Sequence, residues 1–204
     1  RLRAGSVLLV DLHLAYGEHA PEWFEAHPVK VTSAGRMKPK RVMGTASFAK
    51  LQSWTEADDE GIRFFSGIAT YRKTFELPEA MAKRDRLFLE LGGLAEIADV
   101  TLNGKRLGPV WLPPYRIEIS GAVRPGRNQA EIRVANLWAN RLNADSLRPE
   151  SDRFTRSNID RIQTDPTSDS SYGRVPRGKT RPVYKEIPPL MRSGLFGPVR
   201  VITP

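Results

Sequence analysis

With 204 residues, 40% of them hydrophobic and 27% charged, the chain has the balance of a globular domain and the length for a sizeable core. It has no cysteine, which excludes disulfide frameworks, zinc ribbons and thiol nucleophiles, and no apolar run near the ~20 residues of a membrane-spanning helix. Lys and Arg number 32 against 23 Asp and Glu, a net charge of +9 that permits contact with nucleic acid or other polyanions without requiring it.

In chain order, the apolar run Val7–Val10 is too short for a signal peptide and is cut by Asp11. Read with period two, Leu8, Val10, Leu12, Leu14 and Tyr16 share one face, which predicts a strand. The opening at Arg1 and the lack of a leader are expected of a piece of a larger polypeptide, and residues 1–47 are read as a segment that can continue from a preceding domain. Pro21–Glu25 places Pro in the first turn of a short helix. Lys30–Arg41 reads as a basic loop, Thr45–Trp54 is ambiguous, and the acidic run Glu56–Glu60 reads as a solvated turn.

From Ile62 onward the pattern is β. Tyr71, Lys73, Phe75 and Leu77 share one parity of Ile68–Leu77; Leu87, Leu89 and Leu91 form one face of the next strand, and Ala98, Val100 and Leu102 one face of Ile97–Leu102. Asn103-Gly104 then predicts a tight hairpin, because both residues tolerate positive φ. Ile117 and Ile119 mark a short strand, Arg124–Asn128 a turn, Ala130–Trp138 a strand, and Pro198–Thr203 a closing strand. Short strands between Gly, Pro and Asn turns predict an all-β antiparallel sandwich over residues 48–204. Residues 139–194 carry almost no periodicity and are read as one long irregular loop, either a functional excursion or a wrap around a neighbouring domain.

Ala95–Gly108, with its Leu102-Asn103-Gly104 hairpin, resembles the signature of galactose-binding-like jelly rolls that accompany glycoside hydrolases of the β-galactosidase and β-glucuronidase group. Phe64–Arg72, Trp111–Arg116, Gly126–Asn128, Val134–Leu142 and Ser193–Val199 follow in order, and the set resembles the C-terminal β-sandwich of bacterial α-L-rhamnosidases, glycoside hydrolase family 106, over roughly Phe48–Thr203. The resemblance implies a jelly-roll fold and an accessory role, with the catalytic domain of the parent polypeptide as partner. It implies carbohydrate contact, to rhamnose-containing glycans, and a periplasmic or secreted location; the basic charge would equally suit acidic glycans. It supplies no catalytic residue, because the acid/base carboxylates of such enzymes reside in a separate barrel.

The residues themselves agree with an accessory role. Glycosidases need two carboxyl groups about 5–9 Å apart, and although Glu90, Glu96, Asp99, Glu118 and Glu131 sit on strands, no motif pairs them and each reads as a solvent-facing sheet residue. His13, His19 and His27 lack metal-site spacing, Asp165–Asp169 lacks that of a calcium loop, and no G-x-S-x-G occurs, so no cofactor or metal is expected. Sugar rings present C–H faces that pack on aromatics, which makes Trp111, Tyr115 and Arg116, on a Pro-rich loop, candidates for carbohydrate contact; capping the core is the competing role for Trp111 and Tyr115. Asn136 shares parity with Ile132, Val134 and Trp138 and is expected to face inward, bonded to the Pro113–Tyr115 loop or to a ligand. Asn140 with Arg141 is expected to pin the long loop or to reach a neighbouring domain or a sugar. An autonomous carbohydrate-binding module is a second reading. A polyanion or nucleic-acid binder, resting on Arg174, Arg177, Lys179 and Arg181 with Tyr172 and Tyr184, is a third.

Overall fold

The computed structural model describes residues 50–155, 183 and 185–204 with their side chains, and the backbone of 8–13, 43–48, 159–162 and 172–174. In chain order the strands are β1 (Leu8–His13), β2 (Met43–Phe48), β3 (Ile68–Leu77), β4 (Phe88–Glu90), β5 (Gly93–Ala95), β6 (Ile97–Leu102) and β7 (Lys105–Val110). They continue as β8 (Arg116–Glu118), β9 (Gly126–Ala135), β10 (Ile159–Ile162), β11 (Tyr172–Arg174), β12 (Gly194–Gly197) and β13 (Arg200–Ile202). Short helices α1 (Glu60–Arg63) and α2 (Glu79–Ala82) flank β3, and α3 (Ala139–Ser146) follows β9.

A six-stranded antiparallel sheet runs in the order β2-β1-β3-β9-β6-β7, and a three-stranded sheet in the order β13-β4-β8. Alternation explains how they meet. Ala69, Tyr71 and Phe75 of β3, Ala98, Val100 and Leu102 of β6, and Ile132 and Val134 of β9 point inward from the large sheet. Leu87, Leu89 and Leu91 around β4, with Ile119, point inward from the small one. Each such leucine taken out of water contributes about 1.5–3 kcal/mol, so the facing layers are the main stabilising term. This is the all-β sandwich expected from the strand spacing. β1, within the N-terminal segment, pairs with β2 on one side and β3 on the other.

The Asn103-Gly104 hairpin forms as expected: Leu102 pairs with Lys105, and the two turn residues take φ of 51° and 81°. The closing strand forms within Pro198–Thr203 as β13, which pairs with β4, and a separate strand before it, β12, pairs with β5. Three expectations need correction. The strand expected over Ala130–Trp138 begins earlier, at Gly126, and ends at Ala135, so Trp138 precedes α3 and lies half in solvent instead of facing the core. The acidic run is partly helical, with Asp59 capping α1 by accepting the Ile62 N–H at 3.0 Å. The stretch 139–194 is not one irregular loop, since it carries α3, a 3-10 turn at Glu150–Asp152 and the β10-β11 pair. Its helix escapes hydrophobic periodicity because the side it buries is largely polar: Asn140, Asn143, Asp145 and Ser146 are buried beside Leu142. Pro21–Glu25 lies outside the described residues.

Candidate functional site

The loop from Trp111 to Tyr115 joins β7 to β8. Alternation along β7 turns Val110 inward, and Trp111, the first residue past the strand, is 60% exposed, as is Leu112 after it in sequence. The far end of the loop is fixed. Tyr115 is half-buried against the core, its N–H donates to Leu112 O (2.9 Å), and its carbonyl accepts the Leu91 N–H (2.8 Å). The two roles weighed for this loop are thus divided, with Tyr115 packing on the core and Trp111 standing in solvent. Arg116 lies on the outer side of the small sheet, its guanidinium 5.0 Å from the centre of the Phe88 ring, which Arg86 also covers.

Asn136 does not bond to the Pro113–Tyr115 loop. Its Oδ1 accepts the Gly67 N–H (3.0 Å), and its Nδ2 donates to Phe65 O (2.8 Å) and Ser193 Oγ (3.2 Å). The cause is the end of β9 at Ala135, which leaves Asn136 facing the turn that enters β3. Asn140, 1% exposed, donates from Nδ2 to Met191 O (2.7 Å) and Ser193 Oγ (3.2 Å), while its Oδ1 accepts the Met191 N–H (2.9 Å). The two amides therefore meet at Ser193 and pin the far end of the long excursion, as expected of Asn140. Arg141 stacks on Phe154, 4.8 Å from its ring centre, and burial draws its pKa down against the pull of Asp145. No hydrogen bond among the described residues joins Asn136 or Asn140 to Trp111, Tyr115 or Arg116.

Three of the strand carboxylates are held by arginines. Arg106 holds both oxygens of Asp99 at 3.0 Å, Arg72 holds Glu131 at 2.8 Å, and Arg86 holds Glu118 at 2.8 Å. The hydrogen bond from Arg86 keeps the Glu118 carboxyl below its ordinary pKa, the opposite of what a general acid needs. Among the described residues no cluster of three His, Cys, Asp or Glu could hold a metal ion, and no helix is long and apolar enough to cross a membrane.

One cavity lies outside these readings. On the outer face of the large sheet, a recess of about 240 Å³ has a floor of Ile68, Ile97, Pro109 and Ala135, with Asp99, Arg106 and Arg133 at its margin. Register explains the floor, since Ile68 and Ile97 each lie opposite Ala135, and Pro109 opposite Asp99. A bulge between Val100 and Thr101 brings Arg106 to the same face: Val100 pairs with Gly108, but Thr101 pairs with Arg106. The sequence carries a signal for this recess, because Ile68, Ile97 and Ala135 are apolar at positions whose parity points away from the core.

A family model described as the glycosyl hydrolase 2 galactose-binding domain-like domain matches residues 56–173. A protein of Formosa agariphila that carries a provisional β-glucuronidase name is 38% identical over 159 residues, covering 76% of this chain and 13% of that protein. The solved rhamnosidase of Novosphingobium sp. PP1Y superposes with a TM-score of 0.64 at 29% identity, covering 98% of this chain and 15% of the other. A lysine–tRNA ligase of Cupriavidus metallidurans is 33% identical over 108 residues, which is 48% of this chain and 20% of the ligase. The chain thus spans only 13–20% of the length of these relatives. With the family match reaching across β3 to β9 and the sandwich it describes present, the chain belongs to the galactose-binding-like domain family of glycosyl hydrolases.

Proposed function

We propose that the chain is a non-catalytic accessory domain of a glycoside hydrolase that braces the catalytic domain and touches carbohydrate through Trp111, with Tyr115 and Arg116 at the base of its loop. The observation that carries the reading is Trp111 itself, a large aromatic held 60% exposed beside exposed Leu112, on a loop anchored by Tyr115. A flat aromatic held in place in water suits the C–H face of a pyranose. Asn136 and Asn140 serve as internal braces, their amides already bonded to backbone and to Ser193. The names of the two longer-matching relatives point to a rhamnoside or a uronide as the parent enzyme's substrate, and the glycosyl hydrolase family match supports work in the periplasm or outside the cell.

The test is glycan binding by the whole chain at low and high salt, with rhamnose-containing and uronic-acid oligosaccharides, for the native sequence and Trp111→Ala. The expected outcome is saturable binding that persists at high salt and weakens roughly tenfold in the variant, with an unchanged melting temperature. Binding indifferent to Trp111→Ala would remove the loop from the site. A second reading, a basic surface for polyanions, draws on the +9 charge and on the lysine–tRNA ligase likeness. Its signature is affinity that collapses as salt rises.

A further inference from the structure

The recess on the outer face of the large sheet combines three features that rarely coincide on a solvent-facing β-surface. Its floor is apolar across β3, β9, β6 and β7, whereas the exposed face of an antiparallel sheet ordinarily alternates to polar. Its volume of about 240 Å³ suits a single ring-sized group and falls short of the roughly 300–1,000 Å³ common for larger small-molecule pockets. Its margin carries an unbalanced positive charge.

That imbalance follows from the hydrogen bonds. Asp99 lies directly opposite Arg133 in the β6-β9 register and would be its natural partner. The bulge in β7 delivers Arg106 to this face instead, and its Nε contacts both Asp99 oxygens at 3.0 Å. Glu131, two residues from Arg133 on the same face of β9, is held by Arg72 at 2.8 Å. Both nearby carboxylates are thus committed to other guanidinium groups, and Arg133 stands at the recess with no ion pair to a described residue. A guanidinium presents a planar fork that matches a carboxylate.

We propose that this recess binds a pyranose unit bearing a carboxylate, with Arg133 taking the carboxylate and the floor of Ile68, Ile97, Pro109 and Ala135 taking the C–H face of the ring. The proposal rests on the carbohydrate-contact reading and narrows it to uronate sugars at a defined place. It also divides the work: the apolar floor supplies contact common to many sugars, and Arg133 supplies the preference for acid.

The experiment is calorimetric titration of the whole chain at fixed salt with a galacturonate trisaccharide and with its fully methyl-esterified form, which keeps the shape and removes the charge. The variants are Arg133→Gln, Arg127→Gln and Ile97→Glu. Arg127 lies on the same face of β9 toward its other end, so its variant controls for general surface charge. The expected result is at least roughly tenfold tighter binding of the acid than of the ester, with the difference erased in Arg133→Gln and kept in Arg127→Gln. Ile97→Glu places a carboxylate on the floor and is expected to abolish binding of the acid. Equal affinity for acid and ester, with both weakened by Trp111→Ala, would overturn the recess while leaving carbohydrate contact standing. Equal losses in Arg133→Gln and Arg127→Gln would assign the preference to diffuse charge and also overturn it. Failure of the native chain to bind either trisaccharide would overturn the recess, and failure across the wider rhamnose-containing panel as well would overturn carbohydrate contact too.

Discussion

Tyr71 shows how much one buried polar atom can organise. Its hydroxyl accepts from the Trp54 indole N–H at 2.5 Å and from the Leu195 N–H at 3.1 Å, joining the segment before α1, the centre of β3 and the start of β12. Burial pushes its pKa up to about 12 although both hydrogen bonds act the other way. The neutral phenol is thus favoured in the fold relative to an unfolded tyrosine near 10. The associated stability is complete below about pH 10 and is lost as pH rises toward 12, on the order of 2–3 kcal/mol in all. Urea denaturation from pH 9 to 12 is expected to show this loss, and Tyr71→Phe to be weaker at pH 8 yet to lack this alkaline component. An identical alkaline slope in the variant would assign the effect to other groups. Asn136 and Asn140 are expected to behave alike: replacement by Leu strands backbone groups at Phe65, Gly67 or Met191 and costs about 1–3 kcal/mol. Full stability with lost sugar binding would instead make them ligands.

Among the elements, two positions share a left-handed backbone and differ in their surroundings. Gly104, at φ 81° in the β6-β7 turn, has nothing within 4 Å of where a Cβ would project. Gly194, at φ 95° at the start of β12, would drive a Cβ into the Trp54 indole, which is buried and held by Tyr71. Gly104→Ala is therefore expected to cost about 1–2 kcal/mol, the backbone term alone. Gly194→Ala adds overpacking and is expected to exceed about 3 kcal/mol. Thermal melts of the two variants compare them directly, and similar losses would contradict the tight packing at Trp54. The turn was legible in the sequence because Asn-Gly is a local code. The demand at Gly194 was not, because its cause lies 140 residues earlier in the chain. The same reasoning covers α3, whose buried Asp145 accepts both the N–H and the hydroxyl of Thr155 at 2.7 Å: a polar helix face gains burial only from partners that sequence periodicity does not register.

At the scale of the molecule, the surface ion pairs add little, since exposed pairs contribute about 0–1 kcal/mol each. The fold is held by two sheets closing on a leucine- and valine-rich interior, with the excursion after β9 stitched back through Ser193. Ser53 Oγ accepts the Ser193 N–H at 3.0 Å, and the Trp54 N–H donates to Ser193 O at 2.9 Å, so this residue is held through its backbone as well as through the hydroxyl that meets Asn140. Sugar contact is expected on outer surfaces, at Trp111 and the recess, because the interior is filled.

The alternation of Tyr71 to Leu77, Leu87 to Leu91 and Ala98 to Leu102, together with Asn103-Gly104, determined the strands, their inward faces and the antiparallel sandwich. Those features depend on neighbours along the chain, and period-two burial writes them into the residue order. Tertiary structure decided what depends on register between distant strands. It ended β9 at Ala135 and so turned Asn136 to Phe65 and Gly67. It also placed a bulge in β7, which brought Arg106 to Asp99 and left Arg133 at the recess. A shift of one residue in pairing reverses which side of a sheet a side chain occupies, and that shift is set by partners far away in the chain.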